Sequence, residues 1–415
     1  MQRTHQIFAS THLALVVSLI LLIAAAAAAA TAGCARPGAS PETEKGPDTV
    51  AFRSIHMTDT AAGWGLTARA IKRTEDGGAT WKDVTPAGLQ APKGMSAFYR
   101  DALHARLLVP VKASGSAGAS GAAGAASAAG AAGATGVAAA PESIIYRTTN
   151  GGSSWQGTFV PFQGDFLFAL SSGVPAPPGM PDNGGKEWVL TPAGVYFSGN
   201  GGVTWEPPAG TAAGPGGGGL PAGDTVKGLF FRPDGAAGWV TTAEEKPGVS
   251  AMYQSVDRGR TWKRQDLPWP RGMEGYAMEI STASFASPME GLALALLRGR
   301  RPSLVIYRTT DGGEAWTPSA PLRLDAGAAA ATIIDGRSVA LADGSRKIRF
   351  TSDAGATWKS LSLNLKLTSI DALSFVGSSA GWVLGRSSDG TQGLYRSLDG
   401  GRTWSSAFAP ESKKD

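Results

Sequence analysis

The side chains in this chain with the most evident chemistry are arginines. Arg298, Arg300 and Arg301 sit almost side by side, Arg346 adjoins Lys347, and Arg386 and Arg69 stand apart. A guanidinium is a planar fork that can bind carboxylate oxygens in pairs, so arginines gathered on one surface would dock an acidic partner. Glycoside hydrolysis is the rival chemistry. A sialidase-type site needs three arginines converging on a substrate carboxylate, a tyrosine nucleophile with its glutamate base, and a separate acid. The Arg-Ile-Pro signature usual near the start of such enzymes has only a distant counterpart, Phe231-Arg232-Pro233. That segment reads as a strand end before an Asp234-Gly235 turn, and the acids are sparse and mostly in turns. We expect no catalytic site.

Metal and cofactor chemistry are poorly served. Beyond the apolar leader the only histidines are His56 and His104, and the only cysteine is Cys34. The glycine run 216–219 lacks the lysine and following helix of a phosphate loop. No metal or cofactor is expected. The net charge of +5 is mild for the length and gives no case for nucleic-acid binding.

The elements that would carry these side chains follow from a repeat. Seven segments read Ser/Thr, any, Asp/Asn, any, Gly, any, small, Trp: 74–81, 148–155, 198–205, 255–262, 309–316, 351–358 and 397–404. The third position is Asp76, Asn150, Asn200, Asp257, Asp311, Asp353 or Asp399, and the last is Trp81, Trp155, Trp205, Trp262, Trp316, Trp358 or Trp404. An Asp or Asn here accepts backbone N–H groups of its own turn, and the mixture of the two suits a turn acceptor better than a cation ligand. The fifth-position glycine predicts a positive φ, and the tryptophan begins a returning strand and fills space between neighbouring sheets. Successive tryptophans lie 74, 50, 57, 54, 42 and 46 residues apart. A period near 45 predicts the four-stranded blade of a propeller.

The last copy shows the strand order. Residues 367–376 alternate apolar and polar, 381–385 form a short apolar strand, 393–397 a third, and 402–408 follow the turn as a fourth. We therefore expect an all-β, seven-bladed propeller of four-stranded antiparallel sheets over 48–410. An Asp-box turn joins the third and fourth strands of each blade. Residues 113–140, almost wholly Ala, Gly and Ser, read as a disordered insertion between the second and third strands of blade 2.

In such a blade the first-to-second and third-to-fourth connections share one face. The second-to-third loops and the blade-to-blade links share the other. Arg298, Arg300, Arg301, Arg346, Lys347, Arg386 and Arg69 then fall in second-to-third loops of four neighbouring blades, a basic patch opposite the turns. The arginines preceding the turns (Arg73, Arg147, Arg308, Arg396) read as structural, pairing with neighbours or covering apolar surface.

Leu13 to Gly33 is apolar and uncharged, preceded by Arg3, and reads as an export signal over 1–33. Thr31-Ala32-Gly33-Cys34 resembles a lipobox, which implies cleavage and lipidation at Cys34; an uncleaved membrane helix is the other reading. Residues 34–47 read as a flexible tether and 411–415 as a charged tail. Either reading places the rest of the chain outside the cytoplasm and anchored at a membrane, and we expect a monomer.

YRTTNGGSSW, YRTTDGGEAW and YRSLDGGRTW, together with AAGWGL, AAGWVT and SAGWVLG, resemble the photosystem II stability and assembly factor family of cyanobacteria and chloroplasts, which has relatives in non-photosynthetic bacteria. The resemblance spans essentially the whole exported chain. It implies a seven-bladed lumenal or periplasmic propeller without catalysis that binds membrane-protein intermediates through an arginine-rich surface. The Ala/Gly/Ser insertion departs from the family pattern. The rival expectation remains a sialidase-like hydrolase or carbohydrate-binding module of the cell envelope.

Overall fold

The computed structural model describes residues 51–89, 95–110, 143–160, 162, 167–170, 185–191, 194–207, 219–220, 226–232, 234–244, 246–324, 328–343 and 347–408. The export signal, Cys34, the tether, the insertion 113–140, Arg346 and the tail lie outside the described residues. Among the described residues every regular element of more than one residue is a strand, and no helix is long and apolar enough to cross a membrane.

The repeated segments build the same turn seven times. In each, the first-position hydroxyl accepts the N–H of the fifth-position glycine, from Gly78 to Thr74 at 2.9 Å through Gly401 to Ser397 at 2.8 Å. The third-position oxygen accepts the N–H four residues on, as in Thr80 to Asp76 at 2.9 Å and Ser154 to Asn150 at 3.0 Å. Asparagine keeps the geometry by turning its amide nitrogen to a hydroxyl, Ser154 at 2.8 Å or Thr204 at 2.9 Å. The fifth-position glycines have φ between 74° and 96°, where a side chain is strained. The fourth position is left-handed too, which the sequence pattern had not singled out.

We number the units 1 to 7 by the repeat turn each contains. Units 1, 2, 6 and 7 are separate four-stranded antiparallel sheets in chain order. Unit 3 has three strands, Leu167–Leu170, Glu187–Thr191 and Gly194–Ser198, plus one bridge from Phe197 to Glu206. Units 4 and 5 merge into one nine-stranded sheet, because the second strand of unit 4 (Gly238–Glu244) runs on to pair with the first strand of unit 5 (Ala277–Phe285) at Ala243–Glu279 and Glu244–Met278. The fourth strands are shorter than the sequence suggests: in unit 7 only Ser405–Ser406, starting just after Trp404 rather than at it.

Tryptophans join the units in two directions. Each repeat-turn indole packs back on the preceding unit, as Trp316 does on Trp239 with centroids 6.1 Å apart. Four of these indoles also donate to the carbonyl of their own turn glycine at 3.0–3.1 Å. The second-strand tryptophans Trp64, Trp188, Trp239 and Trp382 are fully buried and pack forward. Trp188 stacks on Phe231 of unit 4 at 3.8 Å. Unit 2 holds Arg106 at this register, and its guanidinium pairs with buried Glu187 of unit 3 at 3.0 Å.

The hydrophobic clusters each span two consecutive units, and unit 7 packs on unit 1 through Trp382, Leu394, Phe52, Ile55 and Met57. Backbone groups cross the same seam: Phe52 N–H donates to Gln392 at 2.8 Å and Met57 N–H to Ser374 at 3.0 Å. The array of sheets therefore closes on itself. Third-strand arginines add latches on the turn face. Arg73 donates to the Gly151 carbonyl at 3.4 Å, Arg147 to the Gly202 carbonyl, and Arg396 to the Thr60 carbonyl at 2.7 Å. Arg308 stays within its own unit, on Glu290 at 3.0 Å.

Candidate docking face

The basic loops lie at the ends of the units remote from the repeat turns. In unit 1 the registers Met57–Gly63 and Gly63–Thr74 put the first-to-second connection and the repeat turn at one end. Arg69, in the second-to-third loop, is at the other. The latches from turn to turn keep the turns on a common face, so these loops share the opposite one.

Unit 5 carries the densest group. Arg298 ends the second strand (Gly291–Arg298), and Arg300 and Arg301 follow in an exposed loop before the third strand (Ser303–Thr309). Arg298 is ion-paired with Glu279, a buried carboxylate on the adjacent first strand. That pair fixes one guanidinium at the base of the loop. Arg300 and Arg301 have no ion pair among the described residues. A short strand, Leu322–Arg323, folds back on the third strand and sets Arg323 opposite Ser303, beside the same loop. The sequence reading missed Arg323 because it lies in a blade-to-blade link, where only the fold brings it back.

The other cations are more dispersed. Lys347 opens the third strand of unit 6 and is exposed. Arg386 ends the second strand of unit 7; its Nε lies 3.0 Å from Asp371 Oδ2. Asp371 sits at a bulge between Ile370 and Ala372, and Gln392 donates to it at 3.0 Å. Equivalent bulges fall at Arg53 in unit 1 and Lys227 in unit 4, adding cations near the starts of first strands. A bulge re-aims the extra residue out of the ladder, which simple alternation along the sequence does not reveal. Carboxylates thus partly neutralise the predicted patch: Arg298 and Arg386 are held by Glu279 and Asp371, while Arg69, Arg300, Arg301 and Lys347 carry no ion pair among the described residues.

Among the described residues no group of three or more His, Cys, Asp or Glu is arranged to hold a metal ion. Arg232 holds Asp234 at 2.7 Å and reaches the Gly312 carbonyl at 3.4 Å, so it serves the turn face.

No protein-family model and no curated protein matches the chain. Solved structures do. A GH74 xyloglucanase from Xanthomonas campestris aligns with TM-score 0.53 at 14% identity, over 86% of this chain and 54% of its own, so the chain spans about half the length of that enzyme. YCF48 bound to a D1 peptide aligns with TM-score 0.49 at 16% identity, over 85% and 94%. YCF48 from Cyanidioschyzon merolae aligns with TM-score 0.46 at 15%, over 83% and 94%. At these identities the likeness is one of architecture, and with the four-stranded antiparallel sheets it makes this chain a β-propeller.

Proposed function

We propose that the chain is an exported, seven-bladed, non-catalytic propeller, tethered through a lipid on Cys34, that works as a monomer to bind an acidic membrane or envelope protein. The loop face of units 5, 6, 7 and 1 is the docking surface. The observation that carries this reading is the unit 5 loop, where Arg300, Arg301 and Arg323 gather around an Arg298 already satisfied by Glu279. Exposed arginines left without acids retain both charge and forked donors for a partner's carboxylates. The motif resemblance to photosystem II assembly factors points the same way, and the protein class is the one it implies.

The test is capture from solubilised membranes with the intact lipoprotein as bait. Charge reversal at Arg300, Arg301 and Arg323, which leaves the Arg298–Glu279 pair intact, is expected to weaken capture at least tenfold at moderate salt, with the sheet content unchanged. Undiminished capture removes this face from the account. Turnover of fluorogenic glycosides by the purified chain, absent on this reading, would establish the hydrolase instead.

A further inference from the structure

Units 3 and 4 meet on the turn face in a way the other units do not. Where an arginine precedes the turn in units 1 and 7, it crosses to the next turn, whose fourth position is glycine: Arg73 lies against Gly151, and Arg396 against Gly77. In unit 3 that arginine is replaced by Phe197, and the fourth position of the unit 4 turn is Arg258, at φ 64°. The Arg258 guanidinium lies 5.8 Å from the Phe197 ring centre, and its backbone carbonyl accepts the Trp188 indole N–H at 3.0 Å. A non-glycine residue in this region costs on the order of 1 kcal/mol. The strained residue presents a charged side chain to a depression.

That depression, about 420 Å³, is lined by Lys186, Asp234, Ala236, Val256, Asp257, Arg258 and Arg260. Its carboxylates are already engaged. Asp257 accepts the Thr261 N–H at 2.8 Å and hydroxyl at 2.6 Å, and Asp234 holds Arg232 at 2.7 Å. Arg260 pairs with Glu206 at 2.9 Å. The Lys186 ammonium donates to the Asp234 backbone carbonyl at 2.8 Å and helps keep that residue's carboxylate ionised, and Arg258 has no ion pair among the described residues. Two cations therefore face one hollow, Arg258 without a carboxylate of its own and Lys186 sharing that of Asp234 with Arg232, beside Val256, which is 75% exposed.

We propose that this hollow binds the carboxylate of a small organic acid with a short apolar body. Arg258 supplies the paired donors, Lys186 a second positive charge, and Val256 and Ala236 the apolar contact. The four cations around the hollow (Lys186, Arg232, Arg258, Arg260) exceed the three acids (Glu206, Asp234, Asp257) by one charge. That excess matches a carboxylate better than a phosphate monoester, which carries about −1.5 to −2 at neutral pH. The site is remote from the loop face and stands or falls independently of the docking reading.

Calorimetric titration of the full chain with 3-methylbutanoate tests it, with neutral 3-methylbutanamide and inorganic phosphate as matched probes. The expected result is saturable one-site binding of the acid, at least tenfold weaker binding of the other two probes, and at least tenfold loss in both Arg258→Gly and Lys186→Gln. Arg258→Gly installs the residue found at this position in five other turns, so the fold is expected to persist. Absence of saturation, equal binding of the amide, tighter binding of phosphate, or undiminished binding in either variant would overturn the proposal.

Discussion

At the fourth position of the repeat turn Ala354 has φ 55°, where five of the other copies place glycine. Relief of left-handed strain outweighs the extra freedom glycine brings to the unfolded chain, so Ala354→Gly is expected to stabilise by about 0.5–1 kcal/mol in urea unfolding. A second residue sets a pH dependence. His56 is buried beside Tyr99, ring centres 5.9 Å apart, and burial pulls its pKa down to about 4. The unfolded chain then takes up the proton first as pH falls from about 6.5. This contribution is complete above pH 6.5, falls by about 2 kcal/mol by pH 5, and levels off below pH 4. Denaturant midpoints at pH 7.5 and 5 should show that slope, and His56→Gln should flatten it. The turn carboxylates act in a lower window. Asp353, drawn to about 2 chiefly by the Thr357 hydroxyl and then by its N–H, keeps its charge until the medium is more acidic, and that stability is lost as pH falls through its lowered pKa.

At the scale of elements, the units are fastened by side chains that leave one strand for the next unit's turn. The seam between units 7 and 1 depends most on Trp382, fully buried, whose indole donates to the Gly77 carbonyl at 2.8 Å under the Arg396 guanidinium. Trp382→Ala removes the ring, leaves a cavity and strands that carbonyl, at a cost of about 3–5 kcal/mol. A loss under about 1 kcal/mol in equilibrium unfolding would show that the seam is held elsewhere. The Arg106–Glu187 pair does the work of a tryptophan between units 2 and 3. Its burial on both sides means that neither charge can be removed alone without leaving the other unpaired.

At the scale of the whole molecule the closed ring separates two surfaces. Turns, latches and the Arg258 hollow occupy one, and the basic loops the other. Attraction between exposed charges falls within a Debye length of about 8 Å at physiological salt. Capture through the loop face should therefore weaken steadily as salt is raised from about 0.05 to 0.5 M. A salt-independent interaction would argue for apolar contacts instead. Much of this surface was legible beforehand. Arg69, Arg300 and Arg301 lie in second-to-third connections, because loop placement follows from strand order alone, whereas Arg298, Lys347 and Arg386 belong to the strand ends that flank those connections. Their pairing with Glu279 and Asp371 was not legible. Those acids sit on first strands, one at a bulge, and meet the arginines only through sheet register.

By itself the sequence determined the repeat turn, the strand order and the all-β architecture, since each depends on contacts within a few residues: a hydroxyl, an Asx oxygen and a glycine free to take positive φ. Only the tertiary structure decided which indoles face forward and which back, that units 4 and 5 share one sheet, and that Phe197 and Arg258 exchange the roles of latch and glycine. Those outcomes depend on the fit between neighbouring sheets. Residues about fifty positions apart in the chain, or three hundred at the closing seam, share a surface only after the ring has formed.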